Sequence, residues 1–321
     1  MTTTPTPLPE WRDVDQACLR EQIFAGGRPA ILRGFVKHWP AVKLGMQSPE
    51  AICHYLAAAD SGHPVDALLV PAAEKGRLFY SPDMNGFNFA RRKLPVSAVI
   101  EQLARYSQFP APPSVAVQSA SIDECLPRFA QENVLPFLDP AVRPRIWLGN
   151  TITTPCHFDE SSNIACVVAG KRRFTLFPPE QVGNLYIGPL DFAPTPTPIS
   201  MVDFAAPDFE RFPRFRDALA AAQVAELEAG DAIYIPTLWW HHVQSEGVLN
   251  ILVNYWWKAA GYGASPIECM VDCMRKMSEL APAQREAWAA MFQHYVFDPH
   301  SDPSAHIPEH KRGILSKVRP T

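Results

Sequence analysis

The chain has 321 residues, 47% of them apolar, with a net charge of −4 and a pI near 6.2. It is long enough to bury a large core and too apolar for a disordered chain. It has no long Lys/Arg run of the kind a nucleic-acid binder uses, and no apolar stretch approaches the ~20 residues of a membrane span.

Residues 1–10, rich in Thr and Pro, read as a flexible arm. The opening MTTTPTPLPEWRDVD lacks the apolar segment of a signal peptide. Residues 14–25 read as a helix stopped at Gly26-Gly27, followed by a strand in PAILRGF and a Trp-Pro turn. PEAICHYLAAADSG reads as a helix with proline at its first position. PVDALLVPA, GRLFYSPD and SVAVQSASI read as strands, and LPVSAVIEQLARYS as an amphipathic helix. LPRFAQENVLPFLD reads as irregular or a short helix, and PRIWLGNTITTPCHFD as strand, turn and strand. NIACVVAG and RRFTLFPP read as a hairpin turning at Gly170-Lys171. The proline-rich stretch 186–216 reads as a long loop, and loops of that length usually serve a function. AIYIP and VLNILVNYWW are strands on either side of TLWWHHVQSEG. Two helical patterns, SPIECMVDCMRKMSEL and PAQREAWAAMFQHYVF, close the chain before a loop-like tail.

Strands crowd the middle and helices sit at both ends. That order points to a mainly β protein with helical additions, a barrel or jelly roll rather than an alternating βαβ fold. The seven cysteines are scattered without a C-x-x-C, which reads as reduced thiols in the cytoplasm. Cys269 and Cys273, four apart on a helix, read as small core residues rather than a zinc pair.

In TPCHFDESSN, His157 and Asp159 are two apart and share one face of a strand. A bare H-x-D is a weak motif, and a solvated turn produces it too. GDAIYIPTLWWHHVQS supplies further histidines, His241 and His242, which barrel closure can carry to the first pair. Two histidines and one carboxylate with open positions suit non-haem Fe(II); zinc fits the ligand types as well. The bland reading makes His241 and His242 turn residues beside two core tryptophans. If the strand persists through the turn, Asn163 continues the parity of His157 and Asp159, and Ala165 and Val167 follow it. Arg172 is in phase with Phe174 and Leu176, so it needs a buried anionic partner: a core carboxylate, or a bound dicarboxylate. Asn254 is in phase with Leu252 and Trp256, and a buried amide there needs partners too.

TPCHFDESSNIACVVAGKRRFTLFPPEQ and GDAIYIPTLWWHHVQSEGVLNILVNYWW together resemble the cupin-like JmjC oxygenases, in particular the asparaginyl hydroxylases of hypoxia-inducible factor. RPAILRGFVKHWPAV, GRLFYSPDM and VDFAAPDFERFPRF extend the resemblance over roughly residues 25–260. It implies a double-stranded β-helix with N-terminal α/β elements, Fe(II), 2-oxoglutarate as cosubstrate, and O2. It implies that His157, Asp159 and His241 hold the iron; His241 is the histidine directly after the paired aromatics. It places Thr154, Asn163 and Asn254 around 2-oxoglutarate, with Arg172 at its distal carboxylate. Tyr80 and Trp256 match aromatic residues on the substrate side.

Three positions depart from the family. A cosubstrate-binding tyrosine is replaced by Ala116, for which Gln118 or Tyr80 compensates. The Arg-Gln pair that holds a target asparagine aligns with Pro198 and Ile199, which speaks against an asparagine target. The expected organisation is an arm over 1–10, an oxygenase domain over 11–263 and a C-terminal helical dimerisation segment over 264–321. The expected activity is hydroxylation of a protein or peptide side chain. The rivals are hydroxylation or demethylation of a small molecule or modified RNA base, and a non-catalytic metal or 2-oxoglutarate sensor. No basic patch supports nucleic acid as a partner. The apolar stripes of the last two helices pack either back on the barrel or against the same helices of a second subunit; a homodimer is expected.

Overall fold

The computed structural model describes residues 6–258, 265–298, 300 and 302–317. Its contacts divide the chain into two units, Met1–Ala259 and Ala260–Thr321.

The first unit opens with β1 (Thr6–Pro7) and β2 (Glu10–Arg12), which pair in parallel with strands met later in the chain. The expected loose arm is therefore ordered from residue 6 onward, because Leu8 is buried in the barrel interior; residues 1–5 lie outside the described residues. A wide-turned helical segment, Cys18–Phe24, leads to β3 (Ala30–Arg33). The expected Trp-Pro turn is in fact a helix, α1 (Pro40–Gln47), because Pro40 occupies its first position, where no amide is needed. α2 (Pro49–Ala59) follows, its N-terminus capped by Ser48, whose hydroxyl accepts from the Ala51 amide.

β4 (Val65–Val70) and β5 (Ala90–Leu94) form an antiparallel edge pair. The expected strand GRLFYSPD makes only single bridges, Arg77 to Thr153 and Tyr80 to Phe87. Lys75 just before it, Gly76 at its start and Met84 just after it take left-handed conformations. α3 (Val96–Tyr106) buries Val96, Val99, Ile100 and Leu103, the apolar stripe expected of it. β6 (Ser114–Ser121), the short helices α4 (Ile122–Cys125) and α5 (Pro127–Glu132), β7 (Pro144–Gly149) and β8 (Ile152–His157) lead to the central pair.

The expected hairpin at Gly170 is absent. One strand, β9 (Ser162–Phe177), continues through that position without reversing direction. After α6 (Phe215–Ala220), β10 (Gln223–Glu228) and β11 (Ala232–Ile235), it pairs along its length with β12 (Trp240–Trp257). Both strands bend midway, β9 at Gly170 (φ 77°) and β12 at Gly247 (φ 92°). On one side of the bend the pair is flanked by β11 and β7, on the other by β10 and β8. The two halves form the two walls of a jelly roll, with twelve strands among the described residues. The bend also switches parity: odd residues Ala165 and Val167 and even residues Phe174 and Leu176 share one interior cluster. A second, larger cluster lies between the sheet and helices α1–α3.

Gly170 is required at the bend. A Cβ there would lie 2.3 Å from Asn250 Oδ1 and 2.6 Å from the Leu249 carbonyl oxygen. Gly170→Ala is expected to cost roughly 2–3 kcal/mol and to lower the melting midpoint by about 5 °C or more. Scanning fluorimetry checks this, and an unchanged midpoint would mean that the bend does not depend on glycine.

The second unit contains α7 (Pro266–Met277) and α8 (Pro282–Phe292), the latter continuing as a wide turn over Gln293–Phe297. Neither helix has a buried side chain, so Cys269 is exposed and Cys273 half-buried, and they are not the core residues expected. Met270, Met274, Trp288 and Met291 are about half exposed.

Candidate active site

β8 ends on His157 and β12 starts one residue before His241, and the two histidines face each other directly in the ladder. Their rings are 4.3 Å apart, centre to centre. Asp159 lies in the turn beyond β8, where its carbonyl accepts from the Leu238 amide (2.9 Å) in the turn before β12. One ligand atom from each of His157, Asp159 and His241 lies within 4.8 Å of the others. Each histidine is tethered through Nδ1–H, which donates to the Pro155 carbonyl (2.9 Å) and the Trp239 carbonyl (3.0 Å) respectively. A carbonyl can only accept, so each Nδ1 carries the proton and each Nε2 keeps its lone pair for a cation.

His242 points to the opposite face of β12. It stacks on Phe204 at 4.4 Å, and its Nδ1 has no hydrogen-bond partner. Strand alternation thus separates the two adjacent histidines, and neither is the exposed turn residue of the bland reading. Removal from water, then the nearby His241, pushes the His157 pKa down to about 4; burial, then His157 and Arg77, pushes His242 down to about 3. An unfolded chain takes up these protons near pH 6.5, and the folded one does so only well below that. The metal-free protein should therefore lose stability as pH falls from 6.5 toward 4. Melting curves across that range check this, and His242→Phe should flatten the profile. An equally steep profile in that variant would remove His242 from the account.

The triad opens into a cavity of about 710 Å³. Thr154, Asn163, Arg172, Asn254, Gln118 and Trp256 all line it. Asn254 is held from both sides: Trp147 Nε1–H donates to its Oδ1 (2.8 Å), and its own amide donates to Asn163 Oδ1 (3.4 Å). Trp256 Nε1–H donates to Asp159 Oδ2 (2.9 Å). Residues 193–197 of the proline-rich loop form another part of the wall, fastened where Thr197 Oγ1 donates to the Phe158 carbonyl (2.5 Å).

The cupin-like domain family matches residues 16–261, a span that contains both metal-bearing turns and the whole cavity wall. The chain belongs to the cupin-like JmjC oxygenase family. It is 29% identical over 284 residues to the human bifunctional peptidase and (3S)-lysyl hydroxylase JMJD7, covering 79% of this chain and 81% of that protein. It is 27% identical over 242 residues to Jumonji C domain-containing protein 5 of Drosophila melanogaster, covering 74% of this chain and 56% of that one. A shorter match, 35% over 103 residues, reaches lysine-specific demethylase JMJ31 of Arabidopsis thaliana, covering 32% of this chain and 18% of that one. JmjC enzymes are 2-oxoglutarate-dependent dioxygenases, so membership implies Fe(II) and 2-oxoglutarate.

The residues present suit both groups. Two neutral imidazoles and a carboxylate with open positions match Fe(II). Arg172 is buried on the cavity wall, and burial pulls its pKa down to about 10. Its Nε has no hydrogen-bond partner, and no described carboxylate pairs with its guanidinium. A buried, unpaired guanidinium facing a cavity is a site for an anion supplied from outside. Arg173, one residue on, points outward and pairs with Glu226 (3.2 Å).

Tyr80 is not on the cavity wall. Its hydroxyl donates to the Phe192 carbonyl (2.7 Å), and its ring packs on Phe79, Phe87 and Phe192, behind the loop that forms the wall. Ala116 is buried with Leu68, Val70 and Leu78, away from the cavity. The wall there is formed by Gln118 and Ser119, re-aimed by an irregularity in β6 at which Ser119 takes a left-handed conformation (φ 49°). Sequence reasoning missed Trp147, and it read the 186–216 loop as functional without placing residues 193–197 in the cavity wall. For Trp147 a signal was available, since it alternates with the core residues Ile146 and Leu148. For the loop, length and proline content signalled a role, but irregular chain has no period to say which residues face the cavity.

Proposed function

We propose that this chain hydroxylates a side chain of a protein or peptide, using Fe(II) held by His157, Asp159 and His241 with 2-oxoglutarate and O2 as cosubstrates. The observation that carries the reading is the unpaired Arg172 guanidinium in the same cavity as the triad. When bound, Fe(II) supplies oxidative decarboxylation of 2-oxoglutarate to succinate and carbon dioxide, coupled to hydroxylation of a substrate C–H bond. The protein's own residues bind and orient. Arg172 fixes the distal carboxylate through a charge-assisted fork. Thr154, Asn163 and Asn254 give that pocket its polar lining, and the Trp147–Asn254–Asn163 chain stiffens it. Gln118 and Trp256 lie on the substrate side, and the 193–197 loop limits the access of water.

A relative whose name includes lysyl hydroxylase, aligned over most of both chains, supports a protein substrate. Anaerobic titration with Fe(II) and 2-oxoglutarate, then succinate release under air with cell-extract proteins, tests the reading. Binding without succinate release would indicate a sensor. Formaldehyde release would indicate demethylation.

A cytoplasmic location fits seven free thiols, three of them buried. Among the described residues no helix is long and apolar enough to cross a membrane. The chain is further proposed to form a homodimer through residues 265–297. The motive is the apolar stripe of α7 and α8, where Met270, Met274, Trp288 and Met291 remain exposed. Light scattering on the full chain and on one ending at Gly263 is expected to give a dimer and a monomer. A monomeric full-length chain at micromolar concentration would rule this out.

A further inference from the structure

The two histidines of the triad lie on strands, and each ring is tethered by the backbone carbonyl two residues before it, Pro155 for His157 and Trp239 for His241. Asp159 lies between β8 and β9 and has no such support from a ladder. Its side chain is instead held from 97 residues away, by Trp256 Nε1–H at 2.9 Å from Oδ2. That oxygen is also the one 3.7 Å from His241 Nε2, so the bond acts on the edge of the carboxylate that faces the other ligands. A carboxylate oxygen has two lone pairs and can accept the indole proton while serving a cation. Trp256 is fixed in turn. It pairs with Asn163 across β9 and β12, and its ring meets Trp147 edge-on at 6.1 Å and 72°.

We propose that Trp256 is a positioning residue, whose indole N–H sets the Asp159 carboxylate before the metal arrives. This rests on the metal-binding reading of His157, Asp159 and His241. It gives Trp256 a role beyond that of a wall on the substrate side. An outer partner of a ligating carboxylate fixes its orientation, and losing one typically costs 10–100-fold in metal affinity. Trp256→Phe keeps the ring and deletes the N–H.

The test is a Co(II) titration of the full-length protein, followed by the visible bands of the bound ion. Absence of bands in the unsubstituted protein would sink the metal reading itself, a failure separate from that of this proposal. With bands present, Trp256→Phe is expected to raise the Co(II) Kd about tenfold and to shift the band positions, while the metal-free melting midpoint stays near that of the parent. Trp256→His, which keeps a ring N–H, should recover part of the affinity. An unchanged Kd and spectrum in Trp256→Phe overturns the proposal. Should that variant not fold, the bond can be read in the unsubstituted protein by 15N labelling of its eight tryptophans. A downfield-shifted indole N–H that moves when Zn(II) is added supports the proposal. If no indole signal moves, the proposal fails.

Discussion

His157→Ala, Asp159→Ala and His241→Ala should each abolish iron-dependent succinate formation and weaken Fe(II) binding more than about 100-fold, beyond what the loss of an outer partner costs. Each removes one of three side chains whose ligand atoms lie within 4.8 Å of one another, and no described residue stands ready to replace it. For His157→Ala the fold should survive, because the variant loses a buried imidazole whose lowered pKa opposes stability at mildly acid pH. The informative control is His242. It is adjacent in sequence to His241 and equally buried, yet it stacks on Phe204 on the far face of β12. His242→Ala should retain iron-dependent turnover, with a modest loss of stability from the cavity it leaves. Anaerobic Fe(II) titration and a succinate assay on the four variants decide the matter. If His242 proved essential for iron and His241 dispensable, the ligand assignment would be reversed.

Arg172→Ala is expected to raise the KM for 2-oxoglutarate on the order of 10–100-fold, the scale of a hydrogen-bonded charge worth about 1.5–3 kcal/mol. Arg172→Lys should be intermediate, since a lysine keeps the charge but lacks the planar fork. Stability should move the other way. The guanidinium is buried without a partner in the protein, so Arg172→Leu should stabilise the cosubstrate-free protein by about 1–4 kcal/mol, as apolar replacement does for other buried charges, and so raise its melting midpoint. Adding 2-oxoglutarate should stabilise the parent and leave Arg172→Leu unmoved. A site kept unstable so that it can bind is the usual trade of activity against stability. An unchanged KM in Arg172→Ala would take the role away from this residue. Arg173 is a poor heir, since it is exposed and paired with Glu226.

The sequence by itself determined which side chains share a face. The phase of Arg172 with Phe174 and the phase of Asn254 with Leu252 and Trp256 are local properties of a pleated chain with period two, whereas Asp159 stands in the turn beyond β8, so that turn and not strand parity sets it beside His157. The structure places all seven along one cavity. The amphipathic helices could be read for the same reason, as α3 illustrates with its buried Val96, Val99, Ile100 and Leu103. Only the tertiary structure decided which strands pair and where they bend. Gly170 is equally suited to a hairpin and to a bend, and the choice was made by Leu249 and Asn250 of a strand some eighty residues downstream, packed against it. The edge strand Ala90–Leu94 shows no alternation in its own residues and exists because β4 offers it a ladder. The same limit hid the bond from Trp256 to Asp159. Its donor and acceptor are 97 residues apart, and no local period reports a contact that only barrel closure creates.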